Sequence, residues 1–244
     1  MKKSTINKWN IPKNSVTLDK LLTLDNKNNP LFILYCSRLL KKNLPFSKRN
    51  LFLFCSLTRF FRNFVENWSD MDYQEILSKR RSCRVFTDED VSGDDVRLLL
   101  RAALMSPTSR NMRSWQFVVV DDKQTLEKLS DAKENGSAFL RQVALAVVVL
   151  GNNLHNDCWV EDGAIAAVSM QYQAEELGLG SCWVQIRGRR LSDGTESERV
   201  VRGILNIPED MQVLCIVGFG HKTESLPPHS EDELKWENIH IAEY

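Results

Sequence analysis

Residues 143–150, Val-Ala-Leu-Ala-Val-Val-Val-Leu, carry no polar side chain and stop at Gly151. Successive strand side chains point to opposite faces. A run with nothing polar in either phase therefore reads as a strand buried on both faces. A sheet containing such a strand needs cover on each side, which excludes a half-wet β-sandwich.

The cover is legible on either side of this run. Tyr73 to Lys79 reads as a short helix, and Ser92 to Leu104 as a second, with Val96, Leu99, Leu100, Ala103 and Leu104 on one face and Ser92 as its N-cap. Phe117 to Val120 reads as a strand, and Lys123 to Ala132 as a helix closed by Asn135-Gly136. Glu161 to Leu177 is the longest helical stretch, with an expected apolar stripe of Ala164, Ile165, Val168, Tyr172 and Leu177 and a cap at Gly178. Its small residues (Gly163, Ala164, Ala166, Ala167, Ser169) suit close approach by another element. Ser181 to Ile186, Glu196 to Leu205 and Val213 to Val217 complete a strand–helix–strand series. The whole is an α+β, three-layer domain.

Charge divides the chain. Residues 1–70 hold 13 basic and 4 acidic side chains, a surplus of +9, and the remainder balances it at −9. The acidic part, about 174 residues, is long enough to bury one core. The basic extension has only short apolar runs, below the roughly 18 residues of a membrane span. Leu57, Phe61, Phe64 and Trp68 share one helical face, so 57–68 fits an interfacial helix. A helix packed on the domain, a poorly ordered extension, or a segment upstream of a natural start at Met71 are the preferred readings over membrane contact. No nucleic-acid recognition module accompanies the basic charge.

Six cysteines (36, 55, 83, 158, 182, 215) form no C-x-x-C pair and no zinc-like spacing with histidine. They read as thiols of a reducing compartment, hence a cytoplasmic protein with no metal site. There is no dinucleotide-binding G-x-G-x-x-G, Walker motif, H-E-x-x-H or G-x-S-x-G. Phosphate would therefore be held by side chains, and reactivity would come from a bound group.

Two clusters are suited to that. Arg80-Arg81-Ser82-Cys83-Arg84-Val85-Phe86 places three guanidiniums and a hydroxyl after the first helix. In an extended segment Arg80, Ser82 and Arg84 share a face, and arginine's planar fork matches phosphate oxygens. A solvated basic turn is the other reading. Ser106-Pro107-Thr108-Ser109-Arg110-Asn111 is a turn-rich loop running into Trp115 and the strand. Asn111 can both donate and accept, as the edge of a flavin ring requires.

These two motifs, with Gly178-Leu179-Gly180-Ser181-Cys182-Trp183-Val184-Gln185 and the late Val217-Gly218-Phe219-Gly220, resemble the FMN-dependent nitroreductase family over about residues 71–244. One departure is Arg113-Ser114, where many members have Gln-Pro before the Trp. The resemblance implies a homodimer built around a central mixed sheet flanked by helices. It also implies FMN as cofactor and NADH or NADPH as donor. The small-molecule electron acceptor would be a nitroaromatic, a quinone or a similar electron-poor compound. Arg80, Ser82 and Arg84, assisted by Arg81, would hold phosphate and ring oxygens, and Asn111 would bond the ring. Pro107, Thr108 and Ser109 would line the partner subunit's side. Trp183, Val184 and Gln185 would offer backbone N–H groups near the reactive nitrogen, and Gly220, His221 and Lys222 a second phosphate contact, with Lys222 equally readable as solvated. The flavin would carry the chemistry, so no side chain is assigned as catalytic. The tail, with Trp236, Ile239, His240 and Tyr244, would reach across the dimer. The alternative is a flavin-binding or flavin-processing protein without nicotinamide turnover.

Overall fold

The computed structural model describes residues 72–244; the readings for the basic extension, including 57–68, lie outside them. Helices α1 (Tyr73–Lys79), α2 (Gly93–Met105), α3 (Lys123–Ser130), α4 (Trp159–Glu176) and α5 (Ser197–Leu205) alternate with strands β1 (Gln116–Val120), β2 (Leu145–Gly151), β3 (Leu179–Gln185) and β4 (Gln212–His221). Side-chain caps start three of the helices. Asp72, Ser92 and Asp122 accept the N–H groups of Glu75, Asp95 and Thr125. Gly178 (φ 73°) and Asn206 (φ 54°) take left-handed conformations as the chain leaves α4 and α5.

The strands form one sheet in the order β1-β2-β4-β3, antiparallel throughout. The mixed sheet expected from resemblance is thus an antiparallel one. Its parallel character is confined to an isolated bridge between Ser82 and Ser181 at the outer edge of β3. The cause lies in the connections, which return each strand antiparallel to its neighbour in the sheet.

Every residue of β2 is buried. Ala146, Val148 and Leu150 face a layer made by α3, α5 and the helical turn Ala138–Arg141, while Leu145, Val147 and Val149 face α2 and α4. A bulge breaks the β2–β4 register: Val149 pairs with Cys215 and Leu150 with Val213, leaving Leu214 unopposed. Leu214 and Cys215 consequently pack into the same layer, against α4.

The inward face of α4 differs from the expected stripe. Gly163, Ala166, Ala167, Met170 and Ala174 are buried, whereas Ile165 is exposed and Val168 and Tyr172 are half-buried. Small residues let the helix axis approach the sheet. A Cβ on Gly163 would come within 2.7 Å of Leu214 Cδ2. The larger side chains turn outward, where Tyr172 meets Tyr73 edge-on at 6.0 Å. No described helix is long and apolar enough to cross a membrane.

Candidate active site

Glycines seat the arginine segment. Gly180 and Gly220 face each other across β3 and β4, and Cys83 and Phe86 fill the space their missing side chains leave. A Cβ on Gly180 would lie 3.0 Å from Cys83, and one on Gly220 would lie 3.1 Å from Phe86. Cys83 N–H donates to Ser181 O at 3.0 Å, and Thr87 N–H to His221 O at 2.9 Å. Residues 80–86 are thereby laid along the edge of the sheet.

Burial pushes the Cys182 thiol up, while the Arg84 charge, the Ser82 hydroxyl and the Arg80 charge act in the opposite sense; Ser82 bridges Ser181, the neighbour of Cys182 on β3. Burial and then the Arg189 charge hold Lys133 below the usual lysine range, and the Cys182 thiol acts on it in the opposite sense. Sequence reasoning missed both, since they come from turns after α3 and β3 that meet only when the sheet is covered. Among the described residues none of these four cations has an ion-pair partner. A cluster of uncompensated positive charge beside a hydroxyl fits a phosphate dianion.

Arg81 and Lys222 are placed differently. Arg81 donates through Nη1 to the Pro227 carbonyl at 2.7 Å. Lys222 Nζ lies 2.9 and 3.1 Å from the two oxygens of Glu175, whose side chain is 8% exposed. Both line a cavity of about 460 Å³ with Lys79, Glu175 and Glu224. Lys222 is therefore charge-balanced within the chain. Gly220 is buried against Phe86, and His221 lies 4.0 Å from the Glu89 carboxylate.

β3 is an edge strand, so one side of its backbone is free of the sheet. Ser181 gives its carbonyl to Cys83 on that side, and the alternation puts Trp183 and Gln185 in the same outward phase. Val184 is in the phase paired to β4 and its side chain is buried. Trp183 and Gln185 can thus offer backbone N–H groups, and Val184 cannot. Trp183 Nε1 also donates to Gln185 Oε1 at 3.0 Å, and Gln185 Nε2 to Arg187 O at 2.9 Å.

The 107–111 loop sits at the start of α4, where Ser109 N–H donates to Asp162 Oδ1 at 2.8 Å. Pro107 and Asn111 are exposed, and Thr108 and Ser109 half-buried. The arginine corner lies by the other end of that helix, near Glu175. From Asp162 to Glu175 the helix rises about 20 Å. One chain brings Arg80, Ser82 and Arg84 together on β3 but does not bring Asn111 to them. No group of residues suited to a metal occurs among the described ones, and Cys83, Cys158, Cys182 and Cys215 are free thiols.

The nitroreductase family model matches residues 77–153 and 132–221. A proposed NADH dehydrogenase/NAD(P)H nitroreductase from Archaeoglobus fulgidus is 31% identical over 170 residues, spanning 68% of this chain and 95% of its own. The solved structure of an FMN-dependent nitroreductase from Clostridium difficile R20291 is 38% identical, with a TM-score of 0.68 over 69% of this chain and 98% of that one. An FMN reductase (NADPH) from Bacillus subtilis is 25% identical over 167 residues, 60% of this chain and 64% of its own. The layered fold and the cationic edge define an oxidoreductase of nitroreductase type. The chain belongs to the nitroreductase family.

Proposed function

We propose that this chain is an FMN-dependent oxidoreductase that takes electrons from NADH or NADPH and passes them to a nitroaromatic, quinone or similar electron-poor acceptor. The observation that carries this reading is the arginine segment laid along β3, with Ser82 bridged to Ser181, Cys83 N–H donating to Ser181 O, and Arg80 and Arg84 without an ion-pair partner among the described residues. Bound FMN supplies hydride acceptance and delivery. The chain's own residues bind and orient. Arg80 and Arg84, with Lys133 and Arg189 behind them, hold phosphate and ring oxygens. Trp183 and Gln185 present N–H groups from the free edge of β3. The free thiols suit a reducing, cytoplasmic compartment.

The working unit is a homodimer. A loop and a corner separated by the length of α4 complete one pocket when the loop of a second copy meets the corner of the first. The tail supports this, since Trp236, Ile239, Ile241 and Tyr244 are at least 60% exposed and find no cover within the described chain. Trp115 and Trp159 are buried, whereas Trp236 is left outside.

The test is an absorbance spectrum of the purified full-length protein, before and after anaerobic NADH and NADPH. Flavin bands that bleach support the enzyme. Bands that persist identify a flavin binder without nicotinamide turnover, and no bands after reconstitution with FMN overturn the reading.

A further inference from the structure

Cys83 and Cys182 take no part in the function proposed above, and the fold sets them side by side. Ser82 bridges Ser181 in the parallel sense, and Cys83 N–H donates to Ser181 O at 3.0 Å. In a parallel pairing the residues one step further on, Cys83 and Cys182, are neighbours too, with Cα atoms about 5 Å apart. Their side chains share a face. Both belong to the buried layer beneath α3 and α5. Cys83 also rests on Gly180, which stands two residues before Cys182 and presents the same face of β3. A disulfide needs Cα atoms roughly 4.4–6.8 Å apart and Cβ vectors that do not diverge. The register meets the first condition and the shared face the second.

Both are thiols here, each turned to a carbonyl of its own strand. Cys83 Sγ donates to Val85 O at 3.2 Å and Cys182 Sγ to Trp183 O at 3.8 Å. Cys83 is the one an oxidant reaches first, because it lines the 460 Å³ cavity beside Arg81 and Lys222. Cys182 is 1% exposed, and burial, with a smaller push from Cys83, raises its thiol above the usual range. We propose that Cys83 and Cys182 form a reversible disulfide site, closed by hydrogen peroxide and reopened by a dithiol reductant. The Cys83 sulfur, as thiolate, attacks one peroxide oxygen. The O–O bond breaks, Cys83 becomes a sulfenic acid, and the other oxygen leaves as water with the thiol's proton. The Cys182 sulfur then displaces the sulfenic hydroxyl, which takes the Cys182 proton and leaves as a second water. Two thiols have lost two electrons and two protons, and one peroxide has become two waters. A dithiol reverses the bond by exchange through a mixed disulfide. Closure withdraws Cys83 Sγ from Val85 O, the contact that spans Arg84. Oxidation thus loosens one residue of the arginine corner, a consequence that rests on the flavin reading, whereas the disulfide itself does not.

The experiment is treatment of the purified full-length protein with hydrogen peroxide, then alkylation in denaturant and peptide mapping with and without dithiothreitol. Expected is a linked pair of peptides carrying Cys83 and Cys182 that separates on reduction. In Cys182→Ser the reaction should stop at a Cys83 sulfenic acid, trapped by dimedone. Both cysteines recovered as free thiols after peroxide, or Cys83 joined to a different cysteine, would overturn the proposal. FMN titration of oxidised and re-reduced wild type reads the consequence. Kd should rise about three- to tenfold on oxidation, the loss of one positioned contact, and return with dithiothreitol. An unchanged Kd in a protein shown to be cross-linked would overturn the link to the arginine corner. Wild type that binds FMN in neither state overturns the flavin reading itself, and the peptide map still decides the disulfide.

Discussion

Two arginines in alternate positions are worth more here than the one between them. Arg80 and Arg84 have no ion-pair partner among the described residues, whereas Arg81 already serves a tail carbonyl. Removing either outer arginine should cost FMN binding about 1.5–3 kcal/mol, one charge-assisted contact. Arg81→Ala should cost clearly less, and fluorescence titration would rank the three; equal losses would remove the distinction. Lys222 belongs to a different account. It is 19% exposed and neutralises Glu175, which lies near the negative end of α4. Lys222→Ala leaves that carboxylate buried without a partner and should lower stability by roughly 3 kcal/mol. Urea denaturation would show it, and a variant that kept its stability but lost FMN affinity would restore Lys222 to the phosphate. Alternation made Arg80, Ser82 and Arg84 legible in the sequence. The Glu175 pairing was not legible, because 47 residues separate the partners and only the fold closes that distance.

At the scale of elements, the strong hydrophobic signals are reproduced in the structure and the weak ones shifted phase. The all-apolar run became β2, and Ser92 capped α2 as expected. In α4 the stripe of larger residues was expected inside, yet the small ones face the sheet. Burial there is decided by how closely a helix can approach, and that depends on the surface beneath it. Gly218 shows the same constraint within β4: a Cβ there would stand 2.9–3.1 Å from Val143, Phe139 and Leu140. Gly218→Ala should therefore destabilise by about 1–3 kcal/mol through overpacking. An unchanged denaturation midpoint would mean that the turn at 138–141 yields more readily than its burial implies.

The proposed dimer is tested at the scale of the whole molecule. If corner and loop come from different copies, Arg84→Ala and Asn111→Ala subunits complement each other. In a randomly mixed dimer population about a quarter of the pockets regain both wild-type parts. Tight FMN binding restored to that extent, and absent from either variant alone, would establish the shared pocket. Two variants that remain additive after mixing would place loop and corner in one chain.

From its sequence alone this protein declared three layers around a doubly buried strand, a cationic segment, a hydrogen-bonding loop and the family that carries them. Those are properties of local patterning, set by which side chains recur at which period. The folded chain decided which arginine is taken by a tail carbonyl, which lysine is neutralised, and which backbone N–H groups remain free on β3. Each depends on a partner brought from elsewhere in the chain or from across the sheet, and no local pattern encodes where that partner will stand.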